Sequence, residues 1–199
     1  MKITAIKAQV KNPGRVSIYV DGAYSFSLTP NQLLEQKVFV GLELDAPMLE
    51  TLKKASDFGK LYNRLLRYAL LRPHSCREVA DYCRRKQFDQ EACAEVIELL
   101  SARKYIDDAA FARAWVESRQ LTKATSQRNL QLELKRKGIS DEMIAQALAA
   151  QNYDETAALQ KLITKKRRQA RYQDRQKLLQ YLVRQGFSYG EVMAVLADV

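Results

Sequence analysis

With 199 residues the chain can hold one large domain or two small ones, and a hydrophobic fraction of 47% excludes global disorder. Its 33 lysines and arginines outnumber 23 aspartates and glutamates, giving a formal charge of +10. That excess points to a polyanionic partner or an acidic protein surface ahead of a neutral metabolite. Three cysteines with no CxxC pair, a charged N-terminus where a signal peptide is apolar, and no membrane-length apolar run are the pattern expected of a soluble, reducing, cytoplasmic protein.

Residues 1 to about 45 have a period of two. Ile6, Ala8 and Val10 alternate with polar residues, as do Val16, Ile18 and Val20, and then Tyr24, Phe26 and Leu28. This predicts three antiparallel strands with one buried face. Asn12-Pro13-Gly14-Arg15 reads as a turn and Asp21-Gly22 as a two-residue hairpin. A short helix begins near Pro30, and a further short strand is expected around Val40–Leu44. So small a sheet needs a covering element. The cover is the helical stretch Ala46–Leu71, whose apolar residues recur at helical spacing; Gly59 inside it marks a division into two helices, and Arg72-Pro73 ends it.

The remainder repeats. Arg84-Arg85-Lys86-Gln87-Phe88-Asp89 returns as Lys135-Arg136-Lys137-Gly138-Ile139-Ser140, and again as Val183-Arg184-Gln185-Gly186-Phe187-Ser188. Cys83, Leu134 and Leu182 hold the same place in each copy, separated by 51 and then 48 residues. A constant offset of this kind marks a repeated supersecondary unit. Each copy reads as a basic helix end, a break, one apolar residue and a helix cap. Gly138 and Gly186 suit a left-handed helix stop, whereas Gln87 is a weaker one. Asp89, Ser140 and Ser188 cap the next helix, with hydrophobic staples at Phe88/Cys93, Ile139/Ile144 and Phe187/Val192. Ser188 with Glu191, and Ser75 with Glu78, fit a capping box. Ile106-Asp107-Asp108 and Tyr153-Asp154-Glu155 open the second and third units. The expected fold is mainly α: tandem three-helix repeats at 58–104, 105–152 and 153–199, with faces buried against neighbours, after a small β-rich N-terminal domain at 1–57 that includes the start of a linking helix.

Signs of catalysis are sparse. His74, the single histidine, lies beside Pro73 with no nucleophile motif around it and reads as a surface residue. Seven glycines form no phosphate loop, Asp107-Asp108 sits where capping explains it, and no His/Cys/Asp cluster has metal spacing. No enzyme, cofactor, metal or small-molecule substrate is expected.

The basic residues are the informative set. Residues 58–104 hold ten Lys/Arg against six Asp/Glu, and 153–199 hold nine against five, so the charge concentrates in the first and last repeats. The densest run is Lys165, Lys166, Arg167 and Arg168, continuing to Arg171 and Arg175. With Arg84, Arg85 and Lys86, and with Lys135, Arg136 and Lys137, it could form a stripe for an extended polyanion or acidic groove. Helix C-termini favour basic residues through the dipole alone, which explains part of each triplet but not the long run. A stand-alone reader of duplex DNA through a helix-turn-helix-like joint is the alternative, against which the joints lack clustered base-reading side chains.

Leu70-Leu71-Arg72-Pro73-His74-Ser75-Cys76-Arg77-Glu78-Val79, followed by Tyr82-Cys83-Arg84-Arg85-Lys86-Gln87-Phe88, resembles the first repeat of the RecX family. Tyr105-Ile106-Asp107-Asp108, with Phe111-Ala112-Arg113-Ala114-Trp115-Val116 and Ser118-Arg119 behind it, is similar to that family too. The resemblance covers about 58–199; Gln87 departs mildly, and the strands fall outside the core, as a β-rich extension does in some members. It implies a non-enzymatic regulator of the RecA recombinase that lies along the groove of the RecA–DNA filament and inhibits its ATPase and strand exchange or limits its growth. Contact with single- or double-stranded DNA would be weak or filament-associated, and no membrane is implied. No catalytic motif is carried over, so the basic residues remain a physical expectation.

Overall fold

A computed structural model of the chain describes residues 1–10 and 12–197. Strands β1 (Ile3–Ala8), β2 (Val16–Val20) and β3 (Ala23–Leu28) form an antiparallel meander in the order β1-β2-β3. Asp21 and Gly22, both at positive φ, make the β2–β3 hairpin. Alternation places Ile18, Val20, Phe26 and Leu28 inside, as expected, but in β3 Tyr24 is exposed and Ser27 is buried, where its hydroxyl accepts from Arg15. In β1 a register shift between Ile3 and Ala5 changes the outcome: Ile3 is fully buried, Ile6 partly so, and Ala8 and Val10 face solvent. The expected strand at Val40–Leu44 is not formed. That segment closes on the sheet through one isolated bridge, Lys2 with Glu43, and through Val38 and Leu44 in the core.

Helix α1 (Pro30–Glu35) starts on a reciprocal capping box between Thr29 and Gln32. Helix α2 (Ala46–Leu71) is one unbroken element of 26 residues, about 39 Å long. Its first half covers the sheet through Met48, Leu49 and Leu52; its second half gives Leu65 and Ala69 to the next core. Gly59 therefore does not divide it. A Cβ there would come within 2.8 Å of the Gln32 side-chain nitrogen and 3.1 Å of the Arg15 guanidinium, so the glycine admits the β-rich head against the helix. Gln32 holds that contact by donating to the Ala55 carbonyl at 2.8 Å.

The rest is built from α3 (Cys76–Arg85), α4 (Gln90–Ala102), α5 (Asp108–Thr122), α6 (Gln127–Arg136), α7 (Asp141–Ala150), α8 (Glu155–Arg167), α9 (Arg175–Arg184) and α10 (Tyr189–Ala197). The caps fall where local chemistry puts them. Asp89 accepts from the Ala92 amide, Ser140 from Met143 and Ser188 from Glu191, whose carboxylate returns to the Ser188 amide. Gly138 and Gly186 are left-handed, with φ +83° and +87°. Gln87 makes the same stop at φ +55°, so the first joint has the geometry of the other two, without a glycine.

Burial against neighbouring units is where structure and expectation part. The apolar residues form four clusters: one in the head, then one each for α2–α4, α5–α7 and α8–α10. Among the described residues only Ile106 and Tyr153, at unit boundaries, and Ala124, between α5 and α6, pack on a neighbour's cluster. The units join instead through polar contacts at helix ends.

Candidate partner-binding surface

Two repeated joints set the geometry. At the first, the Ser75 hydroxyl caps α3 by accepting from the Glu78 amide and donates to the Lys137 carbonyl at the end of α6, 2.8 Å away. The Asp108 carboxylate, in the first turn of α5, accepts from the Cys76 amide at 2.8 Å. The second joint copies the first: Ser126 caps α6 and donates to the Gln185 carbonyl at 2.6 Å, while Glu155 accepts from the Gln127 amide at 3.0 Å. Orphan groups at two helix ends are thus satisfied together, with a carboxylate lent by the start of a third helix. Glycine is required there for a second reason besides its φ. A Cβ on Gly186 would lie 2.6 Å from the Ser126 hydroxyl, and one on Gly138 2.9 Å from the Arg77 Cβ.

The joints differ in charge. The Asn129 amide donates to Gln185 in the second. In the corresponding place of the first, Glu78 is nearly buried and meets Lys137 at 2.6 Å, Arg72 at 3.0 Å and the His74 ring at 3.1 Å. Burial alone would raise the Glu78 pKa, but hydrogen bonds from Lys137 and Arg72 outweigh it and hold the carboxyl below its ordinary value. Burial, helped by the Arg72 charge, lowers that of His74. Two expectations are corrected here. His74 is buried, stacked on Tyr68 with centroids 4.0 Å apart, because the carboxylate that receives it is one helical turn ahead. Ser75 and Glu78 form only half a capping box, since Glu78 turns to the joint cations.

Of the basic residues singled out by sequence, Arg84, Arg85 and Lys86 end α3 exposed, with Arg84 paired to Asp81. Lys135, exposed, pairs with Asp141 at 2.8 Å; Arg136 is exposed as well. Lys137 is held in the joint, its ammonium also 5.2 Å from the Trp115 ring centroid.

The long run lies around the corner between α8 and α9. Lys165, Lys166 and Arg167 form the last turn of α8, Arg168 caps it, a 3₁₀ turn spans Ala170–Tyr172, and Arg175 opens α9. Lys165, Arg168, Arg171 and Arg175 are exposed; Lys166 and Arg167 are half-buried. The Lys166 ammonium sits 4.6 Å from the Tyr181 ring and 5.3 Å from Tyr172, and Arg171 lies 5.8 Å from Tyr172. Cation–π contact thus anchors part of the run on the third core, whose edge these rings cover. Asp174 caps α9, and the Lys177 amide bond foremost lowers its carboxyl pKa. The arrangement can bind anions by charge and bidentate arginine contact.

Among the described residues no group of three or more His, Cys, Asp and Glu could hold a metal. Burial first, then neighbouring Cys93, raises the Cys83 pKa to about 12, keeping it a protonated core thiol. Among the described residues no helix is long and apolar enough to cross a membrane. A second cationic row, Lys60, Arg64 and Arg67 on one face of α2, was overlooked in the sequence; its helical spacing was the signal that could have found it.

Known proteins match this architecture along the chain. Models of the RecX N-terminal domain, of its second three-helix domain and of its third match residues 1–45, 107–148 and 153–196. The regulatory protein RecX of Bacillus licheniformis is 33% identical over 201 residues, covering 98% of this chain and 76% of that protein. Its namesake from Bacillus subtilis is 30% identical, with 99% and 76% covered. A crystal structure of regulatory protein RecX superposes with a TM-score of 0.81 over 98% of both chains, at 26% identity. The chain belongs to the RecX family of regulatory proteins.

Proposed function

We propose that this chain is a non-enzymatic, cytoplasmic regulator of the RecA recombinase that lies in the groove of the RecA–DNA filament. There it lowers the filament's ATPase, strand exchange and growth, in DNA repair and the SOS response. The observation that carries the reading is the exposed basic corner between α8 and α9, borne by a member of a family whose relatives are named regulatory proteins. Lys165, Arg168, Arg171 and Arg175 supply the phosphate- or carboxylate-facing charge. Lys166 and Arg167 complete the run, and Arg84, Arg85, Lys86, Lys135 and Arg136 extend it; Lys137 contributes through the joint that orients the first two units. In this reading the head takes 1–57 and the units 58–104, 105–152 and 153–199, an array long enough to reach more than one filament subunit. DNA is met mainly within the filament, where counterion release makes binding salt-sensitive.

The test is the DNA-dependent ATPase of RecA titrated with this protein at two salt concentrations. Loss of turnover at substoichiometric protein, relieved by salt, is the expected result. Unchanged turnover at saturating protein, with tight binding to naked duplex in the absence of recombinase, would replace this reading by that of a stand-alone DNA-binding protein.

A further inference from the structure

A cleft of about 650 Å³ separates the head from the first helical unit, on the side of α2 that carries Lys60, Arg64 and Arg67. Arg15 reaches it from the start of β2. Its side chain is almost completely buried, donating to Ser27 and to the Ser56 carbonyl, yet its Nη1 has no hydrogen-bond partner. Among the described residues Arg15, Arg64 and Arg67 form no ion pair with a carboxylate; Asp57, at the rim, is tied to Lys60 at 2.8 Å. Two exposed guanidinium groups without carboxylate partners, backed by the buried charge of Arg15, are an anion-attracting arrangement.

The rest of the lining decides what kind of anion. Leu61, Leu71 and Phe88 face the cleft, and Leu71 is 79% exposed at the end of α2. The rings leave little for a nucleobase to stack on. Tyr68 is sandwiched between Tyr82, centroids 4.2 Å apart and nearly parallel, and His74 at 4.0 Å. Phe88 meets Tyr82 edge to face, and the Arg64 guanidinium lies 5.3 Å from its centroid. Single-stranded nucleic acid binding relies on free aromatic platforms, whereas protein interfaces favour arginine set beside exposed apolar side chains.

We infer that this cleft docks an acidic segment of a partner protein, its carboxylates on the exposed Arg64 and Arg67, with buried Arg15 adding charge from behind, and a large apolar side chain against Leu61, Leu71 and Phe88. Lys60, Arg64, Arg67 and Leu71 recur on one face of α2, so an acidic and apolar peptide laid along the helix meets all four. The site shares no residue with the α8–α9 corner and stands whether or not that corner contacts a filament.

The experiment is fluorescence anisotropy of the full-length protein with a short fluorescein-labelled peptide of repeating Glu-Glu-Leu, against the same peptide with glutamine for glutamate and against labelled oligothymidylate. The variants are Arg64→Glu with Arg67→Glu, and Leu71→Asp, each checked for its fold by circular dichroism. The acidic peptide should bind wild type, lose at least about tenfold in affinity for the double variant and for the glutamine version, and lose several-fold on Leu71→Asp. Oligothymidylate should bind the double variant as it binds wild type and should not displace the peptide. Absence of binding by wild type, or equal binding by the double variant, overturns the proposal. So does displacement by oligothymidylate together with its loss in the double variant, which would assign the cleft to nucleic acid. If the double variant fails to fold, the result with Leu71→Asp decides.

Discussion

The Ser75 hydroxyl joins two helices at once: it caps α3 and reaches the carbonyl of Lys137, 62 residues further along, at 2.8 Å. Ser126 does the same toward Gln185, so one side chain per joint ends the helix of one unit and starts that of another. Replacing either serine by alanine removes a cap and a cross-unit bond together. Ser75→Ala and Ser126→Ala should each cost about 2 kcal/mol, more than a cap alone, as read by urea denaturation. Ser140→Ala, a cap without a cross-unit bond, is the comparison and should cost about 1 kcal/mol.

Gly186 and Gly190 provide a second contrast. Gly186→Ala must adopt φ +87° and drives a methyl onto the Ser126 hydroxyl, so it should lose about 2 kcal/mol or more in the same assay. Gly190→Ala, in the first turn of α10 with open space around it, should be neutral or stabilising by up to about 1 kcal/mol.

The first joint should weaken in acid. Both the Glu78 and His74 pKa values are lowered in the folded state, so both groups add stability above their unfolded values and lose it as pH falls. The loss begins near the ordinary histidine value of 6.5, where the unfolded chain takes up a proton that folded His74 resists, and continues as Glu78 protonates in the carboxylate range. Melting temperatures between pH 7 and 4 should fall for wild type. His74→Asn should flatten the upper part of that fall and Glu78→Gln the lower. A Glu78→Gln curve parallel to wild type over the lower range would remove Glu78 from the account. At neutral pH, Glu78→Ala strands Lys137 and should cost about 2 kcal/mol, reduced from the buried-pair range because Arg72 and Lys137 are partly exposed.

On the basic corner, Arg168→Glu with Arg171→Glu should leave the melting temperature within about 2 °C of wild type, since exposed helix-end charges contribute little. The same variant should raise the protein concentration needed to inhibit RecA turnover by about tenfold and shallow its salt dependence. Inhibition equal to wild type would remove that corner from the contact.

Features that depend on neighbours a few residues apart were legible in the sequence. The caps at Asp89, Ser140 and Ser188 and the left-handed stops at Gly138 and Gly186 follow from side chains bonding amides within one turn. The β-rich head was readable from its period of two, and the three units from the recurrence of one pattern at offsets of 51 and 48 residues. What escaped depends on how elements fold back on one another, across the chain or around a turn. Lys137 looked like the third member of a surface triplet because nothing local reveals that Glu78, 59 residues earlier, receives it. His74 looked exposed beside a proline until Tyr68 and Glu78 closed over it. Gly59 suggested a break because a helical glycine costs stability, whereas its use is to let Gln32 and Arg15 approach. The basic corner was readable as charge, but its anchoring on Tyr172 and Tyr181 requires the turn between α8 and α9 that brings those rings beneath Lys166.

Because each unit keeps its apolar core to itself, strain is not shared evenly along the molecule. Bending within a unit would open a packed interior, whereas bending at a joint works mainly against the hydrogen bonds and ion pairs at helix ends and exposes less apolar surface. Under load the helical part should therefore bend as three stiff links on two short joints. A change of curvature would be taken up one link at a time, and the joint that carries the Glu78 ion pairs would resist it more than the joint that lacks them.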